Sequence, residues 1–543
     1  MKNSNHPFYE WVPRPIGILI LLLMFVPPTF SGGAYLSNIS EMVGGLGVRT
    51  EDVQLASFFT SIGMCLFPPF MVRFLQARRT KQTYLWCFAF LIVLNYVCAK
   101  ATSLPLLLTA CLLIGFVRII VMLNCTFTIA PYLTGMDTLA MFTMTEMPPN
   151  DVQYALERKR TFLMPVLYGF ILLISQASNM LVAWCAYQYR WPDAYMFVVG
   201  LLLVCLLLVL CTMPNEKRRF TYQVEWHKLP EMLLMALCLC CMAFVLVYGK
   251  TLDWLDSKAV CVGLGGMLIT GGAFLGLSIH HQRKAYLPLG VFNYRNVCIS
   301  MLLFVLTMVL NSAINFVGAF AKLSTSINNV QSACTLSGWA IVGCLLGLLL
   351  SLVLIVKKVR FAYIFSIAFV LMAVANACLY FQYQPMGLVS NFRIVMVLNY
   401  AGLLMLYSVV AAFGMKGLPA HYLATFVFLM IWMRNVIAPI CGTFVYSNWQ
   451  YSEQQNYMSR LSQNVDSENA LVCANFNIAK RGGKLQGMGT MEAEQYATTV
   501  LNSRVGVQSA IVSMKSITGQ TVLLLLVAAG IALILPYRKG ETT

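Results

Sequence analysis

A chain of 543 residues that is 59% hydrophobic and only 10% charged has too little polar surface to cover a water-soluble globule, so it reads as an integral membrane protein. The formal net charge of +17 does not point to nucleic acid, because the lysines and arginines sit in short loops between apolar runs rather than clustering on one face. The 18 cysteines lie almost entirely inside apolar runs without paired CxxC spacing, which excludes a zinc-site reading and leaves small buried hydrophobes.

A helix needs roughly 20 apolar residues to cross a hydrocarbon core about 30 Å thick. The first such run, residues 15–35, follows a short polar leader with Lys2 and Arg14 and no small-residue cleavage site, so it is expected to stay as a first helix. Pro27, Pro28, Gly32 and Gly33 fall in its outer half. Such breakers are tolerated in a membrane where neighbours or a cavity satisfy the freed backbone, so this helix reads as kinked, either lining a cavity or distorted by packing. Further spans follow at 53–72, 84–99, 104–130, 162–187 and 195–212. A central pair, 229–248 and 259–279, has little between its members but a short polar turn. The remainder runs 297–320, 333–356, 361–381, 394–413, 420–446 and 521–536, which makes fourteen spans.

This count predicts an all-α polytopic protein in a 6+2+6 arrangement. An N-terminal six-helix bundle covers 1–228, two inserted helices 229–281, and a C-terminal six-helix bundle 282–543 with an external loop at 447–519. Two bundles facing each other across a midplane site are how many secondary transporters are built. Alternate short loops carry Arg73, Arg78, Arg79 and Lys81; Arg158, Lys159 and Arg160; Lys217, Arg218, Arg219 and Lys228; Arg283, Lys284 and Arg295; and Lys357, Lys358 and Arg360. The positive-inside rule makes these loops, and both termini, cytoplasmic. The connection 132–160 is expected on that side, with Pro148 and Pro149 stopping the chain before a short capped helix at 152–160. The segment 447–519 is expected outside, with helical spacing at 454–465 and 491–513 around a glycine-rich middle at Gly482, Gly483, Gly487 and Gly489, unless it is a disordered loop.

Two arginines, Arg118 and Arg434, each fall about fourteen residues into a span, which at 1.5 Å per residue is roughly 20 Å deep. A charge there faces the protein interior or a watery cavity, either as a structural arginine bonded to helix-end carbonyls or as a cationic cavity wall. Amides at Asn124, Gln176, Asn179, Asn311, Asn315 and Asn399, with Asn95 and Asn376, either share that cavity or join helices by hydrogen bonds. No acidic residue falls mid-span, so the coupling candidates are Glu41, Asp52 and Glu231 near span ends and His421, which titrates near neutrality when unperturbed. Each carboxylate also reads as a solvated loop charge, and His280 and His281 as surface residues. There is no HExxH, nucleophile elbow or Walker motif among the five-histidine, apolar sequence, so no enzyme, cofactor or metal is predicted.

The stretch Arg73–Lys81 sits where the major facilitator superfamily has its basic signature loop, and Arg118 where it has a buried helix-four arginine. Leu287, Pro288, Leu289, Phe292 and Arg295, the pair Arg190 and Trp191, Arg434, and Gln508, Ser509 and Ala510 resemble the fourteen-helix, EmrB-like drug/proton antiporter branch. The departures are an absent loop Asp, Ser175, Gln176 and Asn179 in place of a glycine-proline motif in the fifth span, and Pro28 where the branch often has an Asp. The resemblance implies proton-coupled efflux of a small amphipathic substrate by alternating access, from a bacterial inner membrane. It further implies a periplasmic membrane-fusion adaptor and a TolC-like outer-membrane channel as partners. An importer of a small organic solute on the same fold, or a receptor, is the alternative. The arginines favour weak acids or neutral amphiphiles over lipophilic cations.

Overall fold

The computed structural model describes residues 7–35, 39–71, 74, 79–134, 150–215, 226–281, 285–324, 329–384, 389–437, 441–466 and 468–537. The basic residues Arg73, Arg78, Lys217, Arg218, Arg219, Arg283 and Lys284, and the prolines at 148 and 149, lie outside the described residues.

The described residues are mostly helical. Helix α1 is Arg14–Phe30, α2 the short Ile39–Leu46, α3 Thr50–Leu66, α4 Thr80–Lys100, α5 Leu104–Thr134, α6 Asn150–Gln188 and α7 Trp191–Thr212. The central pair is α8, Leu229–Tyr248, and α9, Lys258–His281. Beyond it come α10 Arg295–Asn311, α11 Asn315–Ser324, α12 Asn329–Val356, α13 Phe361–Gln382, α14 Arg393–Met415 and α15 Ala420–Trp432, then π turns at Met433–Ile437 and Cys441–Tyr446. Helices α16, Ser447–Ser462, α17, Ala470–Leu485, and α18, Thr490–Ile534, complete the described chain.

Among the described residues, twelve helical segments are long and apolar enough to cross a membrane, by length and composition, making this a multi-pass membrane protein. The expected count of fourteen is not reached on that measure, because Arg14–Phe30 and Tyr422–Ile437 are shorter apolar helices. Both have local causes. Pro27 and Pro28 deny α1 two backbone donors, and its chain turns away at Ser31. After α15 the backbone relaxes into π turns, a form that accumulates at functional sites. The span expected at 297–320 is present as one crossing-length segment, Arg295–Ala321, in which α10 passes into α11 through a 3-10 turn at Ser312–Ile314. The short helix expected at 152–160 is not separate; it is the first part of α6, a 39-residue helix that runs on through Pro165.

Side-chain caps set several starts. Asp52, Asp193 and Glu492 accept the N–H of Arg49 at 2.8 Å, Arg190 at 3.0 Å and Gly489 at 3.0 Å, opening α3, α7 and α18. Small residues then let helices approach closely where packing, rather than water exclusion, drives association. Gly63 of α3 and Gly115 of α5 face each other's backbone, and a β-carbon on either collides with the carbonyl of Leu112 or Thr60. On the other side, Gly343 and Gly347 of α12 press on Val397 and Ala401 of α14. The inner helix α14 is 78% buried along its most apolar window, whereas α8 and α9 are only 28% and 17% buried, so the central pair stands at the periphery.

Two faces follow from the helix ends. On the terminal face, Tyr9 donates its N–H to Thr212 O at 3.0 Å, and Tyr537 packs on Phe365 and Phe413. On the opposite face the turn after α8 meets the far end of the π segment: Trp254 stacks edge-on to Phe444 at 5.5 Å and Lys250 Nζ sits 4.0 Å above the Tyr451 ring. From there α16 and α17 each pack on the first part of α18 as a helical extension, so the disordered alternative for this segment does not hold. Gly487, at φ +86°, makes the turn between α17 and α18, while Gly482 and Gly483 lie inside α17.

Candidate functional site

The broken end of α1 is the hub of the first half. Ser31 is fully buried; its hydroxyl donates to Pro27 O at 3.1 Å and accepts from Asn95 Nδ2 at 3.1 Å. Arg118, from α5, donates to Ser31 O at 3.4 Å. Gly33 takes φ +73° there, and its carbonyl accepts from the Tyr195 hydroxyl, while the Tyr35 hydroxyl donates to Phe30 O at 2.7 Å. Arg118 thus bonds a helix-end carbonyl, as its structural reading expects. Its Nε, however, is buried without a partner among the described residues, and the side chain as a whole is only half-buried.

Near it stands Arg434, in the π turn Met433–Ile437 and close enough to Arg118 for the two charges to repel. Its guanidinium carbon lies 5.9 Å from the centre of the Tyr407 ring, within cation–π range. Tyr407 in turn packs edge-on to Phe304 at 5.2 Å, lies 6.5 Å from Tyr168, and points its hydroxyl at Met308 Sδ, 3.2 Å away. Gln176 of α6 reaches the Tyr400 hydroxyl of α14. Two arginines, four tyrosines and an amide, drawn from both halves of the chain, therefore converge between α1, α5, α6, α14 and the π turn.

The other expected cavity residues divide. Asn399 is buried and donates to Asn311 Oδ1 at 2.9 Å, leaving its own Oδ1 without a partner among the described residues. Asn124 is fully buried further along α5. Asn179 and Asn315 are exposed and do not join the cluster. Asn95 and Asn376 donate to carbonyls one turn back, Leu91 O at 2.7 Å and Met372 O at 2.9 Å. Tyr35, Tyr168, Tyr400 and Tyr407 were not anticipated. Their signal was a phenol inside an apolar span, since a buried tyrosine hydroxyl needs a polar neighbour.

The coupling candidates also separate. Asp52, on the opposite face, accepts from the Tyr248 hydroxyl as well as from Arg49, which clasps α3 to the central pair. Glu41 is half-buried in α2, and the side chain of His421 lies outside the described ones. Glu231 is not a solvated loop charge: it is wholly buried, 2.6 Å from His281 Nδ1 and 2.8 Å from the Tyr286 N–H it accepts. His281 is accordingly not a free surface residue. The reason is that α8 and α9 form a hairpin, which brings its two ends together across fifty residues of sequence. Among the described residues no three His, Cys, Asp or Glu side chains come together as metal ligands do.

No family model and no curated protein matches the chain. Solved structures do. One of a peptide transporter POT superposes with TM-score 0.54 at 12% identity, covering 98% of this chain and 97% of that one. Another, of a POT family transporter with a thioalcohol-conjugated peptide, gives 0.53 at 12%, covering 98% and 100%. The nucleoside transporter NupG gives 0.51 at 12%, covering 95% and 99%. At such identity the likeness is one of fold. The chain shares the all-helical, polytopic fold of these solved structures.

Proposed function

We propose that this protein is a secondary transporter that exports hydrophobic or amphipathic small molecules by alternating access, with protons as the coupling ion, and that it is not an enzyme. The observation that supports the reading is the proximity of Arg118 and Arg434, one from each half, beside Tyr407. A single charge at mid-membrane costs about 2.5 to 3.5 kcal/mol on the mildest scale, and like charges facing each other cost more. An anionic group between them offsets that repulsion, while the rings of Phe304, Tyr168 and Tyr407 receive an apolar body. The preferred cargo is then a hydrophobic weak acid or a neutral amphiphile.

We read residues 1–228 and 282–543 as two six-helix bundles, with 229–281 inserted. Helix α1, and α15 with its π turns, complete fourteen crossings despite their breaks. The terminal face is taken as cytoplasmic from the loop charges, in a bacterial inner membrane. Export, rather than import, rests on the sequence resemblance to EmrB-like pumps. On the same ground the extension α16–α18 is assigned to docking a periplasmic membrane-fusion adaptor that leads to a TolC-like channel. Transport into inverted vesicles, with and without an uncoupler, tests the reading: energised accumulation abolished by the uncoupler is expected, and its absence for every amphiphile tried rejects it.

A further inference from the structure

We infer that Glu231 and His281 form a proton-binding latch that, through Tyr286, holds the terminal face of the transporter shut. A wholly buried carboxylate is costly unless it is paired and hydrogen-bonded. Both of Glu231's oxygens are engaged, one 2.6 Å from His281 Nδ1 at the end of α9, the other accepting the Tyr286 N–H at 2.8 Å. Tyr286 is itself a bridge. Its hydroxyl donates to Leu66 O at 2.7 Å, one of the carbonyls that the end of α3 leaves without a helical partner. Its ring packs on Phe70 at 5.7 Å, Phe428 of α15 at 6.3 Å and Phe274 of α9 at 6.5 Å. One carboxylate thus ties the central pair to α3 in the first half and α15 in the second, where the two halves meet on the terminal face.

The charge count makes this contact sensitive to protons. With His281 protonated the pair is neutral; when the imidazole loses its proton a net negative charge is left buried, and the latch weakens. Loss of that proton is favoured as pH rises, so the latch weakens in that direction. The groups around the pair are His280 of α9, whose ring is 5.5 Å from His281, the Cys65 thiol of α3 and the Tyr286 phenol; Lys228 precedes Glu231 by three residues in the chain, and Arg283 and Lys284 lie outside the described residues. This assigns Glu231 a positioning role in the gate rather than carriage of the coupled proton. Its consequence for transport rests on the function proposed above, but its test needs no transport.

Native Cys65, buried in the last turn of α3 beside Tyr286, is the reporter. Its rate of maleimide labelling is measured by peptide mass spectrometry on the full-length protein in lipid nanodiscs. Each variant is divided by wild type at the same pH, which cancels the thiol's own titration. Glu231→Gln, His281→Gln and Tyr286→Phe are each expected to label about tenfold faster at about pH 6, the loss of roughly one charge-assisted hydrogen bond, with the ratio falling toward one at about pH 9. His280→Gln should match wild type at both. Because Tyr286→Phe removes one oxygen only, it carries the test if the other variants fail to insert. Ratios near one at about pH 6, ratios that do not fall with pH, or a His280→Gln effect equal to that of His281→Gln overturn the latch and leave the transport reading untouched.

Discussion

Arg118 of α5 donates a hydrogen bond of 3.4 Å to the carbonyl of Ser31, the residue at which α1 stops. The bond ties the deepest charge of the first half to the break in the first helix, while Nε stays buried and without a partner among the described residues. Replacing Arg118 by Gln keeps a donor for Ser31 and removes the charge. Transport of an anionic amphiphile is expected to fall by roughly 10- to 100-fold, the worth of one charge-assisted contact, with insertion unchanged. Arg118→Lys should lie between. Concentration series of initial rates decide it, and an Arg118→Gln protein at wild-type efficiency removes the residue from the cavity wall.

On the proposed function, the two arginines set the sign of charge that is accepted. Fatty or bile acids should compete for transport more strongly than ethidium, since the lipophilic cation enters a field of the wrong sign. Strong ethidium export unaffected by the acids defeats the assignment.

Sidedness is testable at Cys473 in α17, which is partly exposed. An impermeant thiol reagent should modify it in intact spheroplasts. Modification only after lysis reverses the topology.

Exchanging residues 466–489 for a short flexible linker removes α17 and the turn at Gly487 while leaving the membrane helices in place. If this extension docks an adaptor, the shortened protein should insert correctly, cease to co-purify with the adaptor and cease to protect cells. Retention of both properties makes the extension a self-packed cap instead.

The crossing of α3 and α5 has no room at Gly63 or Gly115. Alanine at either position forces the backbones apart, at a cost of about 1 to 3 kcal/mol typical of overpacking. Thermal unfolding in detergent should drop by several degrees for each; an unchanged transition argues that the helices do not cross at this distance.

Hydropathy alone set out the membrane class, the helical content and nearly every helix position, because any backbone inside lipid must satisfy its own hydrogen bonds and the helix does so segment by segment. It also placed the two arginines, since a charge inside an apolar run is conspicuous. Continuity was another matter. Whether α1 and α15 hold a full crossing length depended on how Pro27, Pro28 and the π turns are supported by neighbours. Partnership was wholly tertiary. Glu231 read as a loop charge because its partner, His281, is at the far end of a hairpin, and only the packing of α8 on α9 brings the two within 2.6 Å. In the same way a phenol inside an apolar span marks Tyr168, Tyr400 and Tyr407 as needing a polar neighbour without naming it, and their place beside Arg434 and Gln176 was decided where α6 and α14 meet, by contacts between residues hundreds of positions apart.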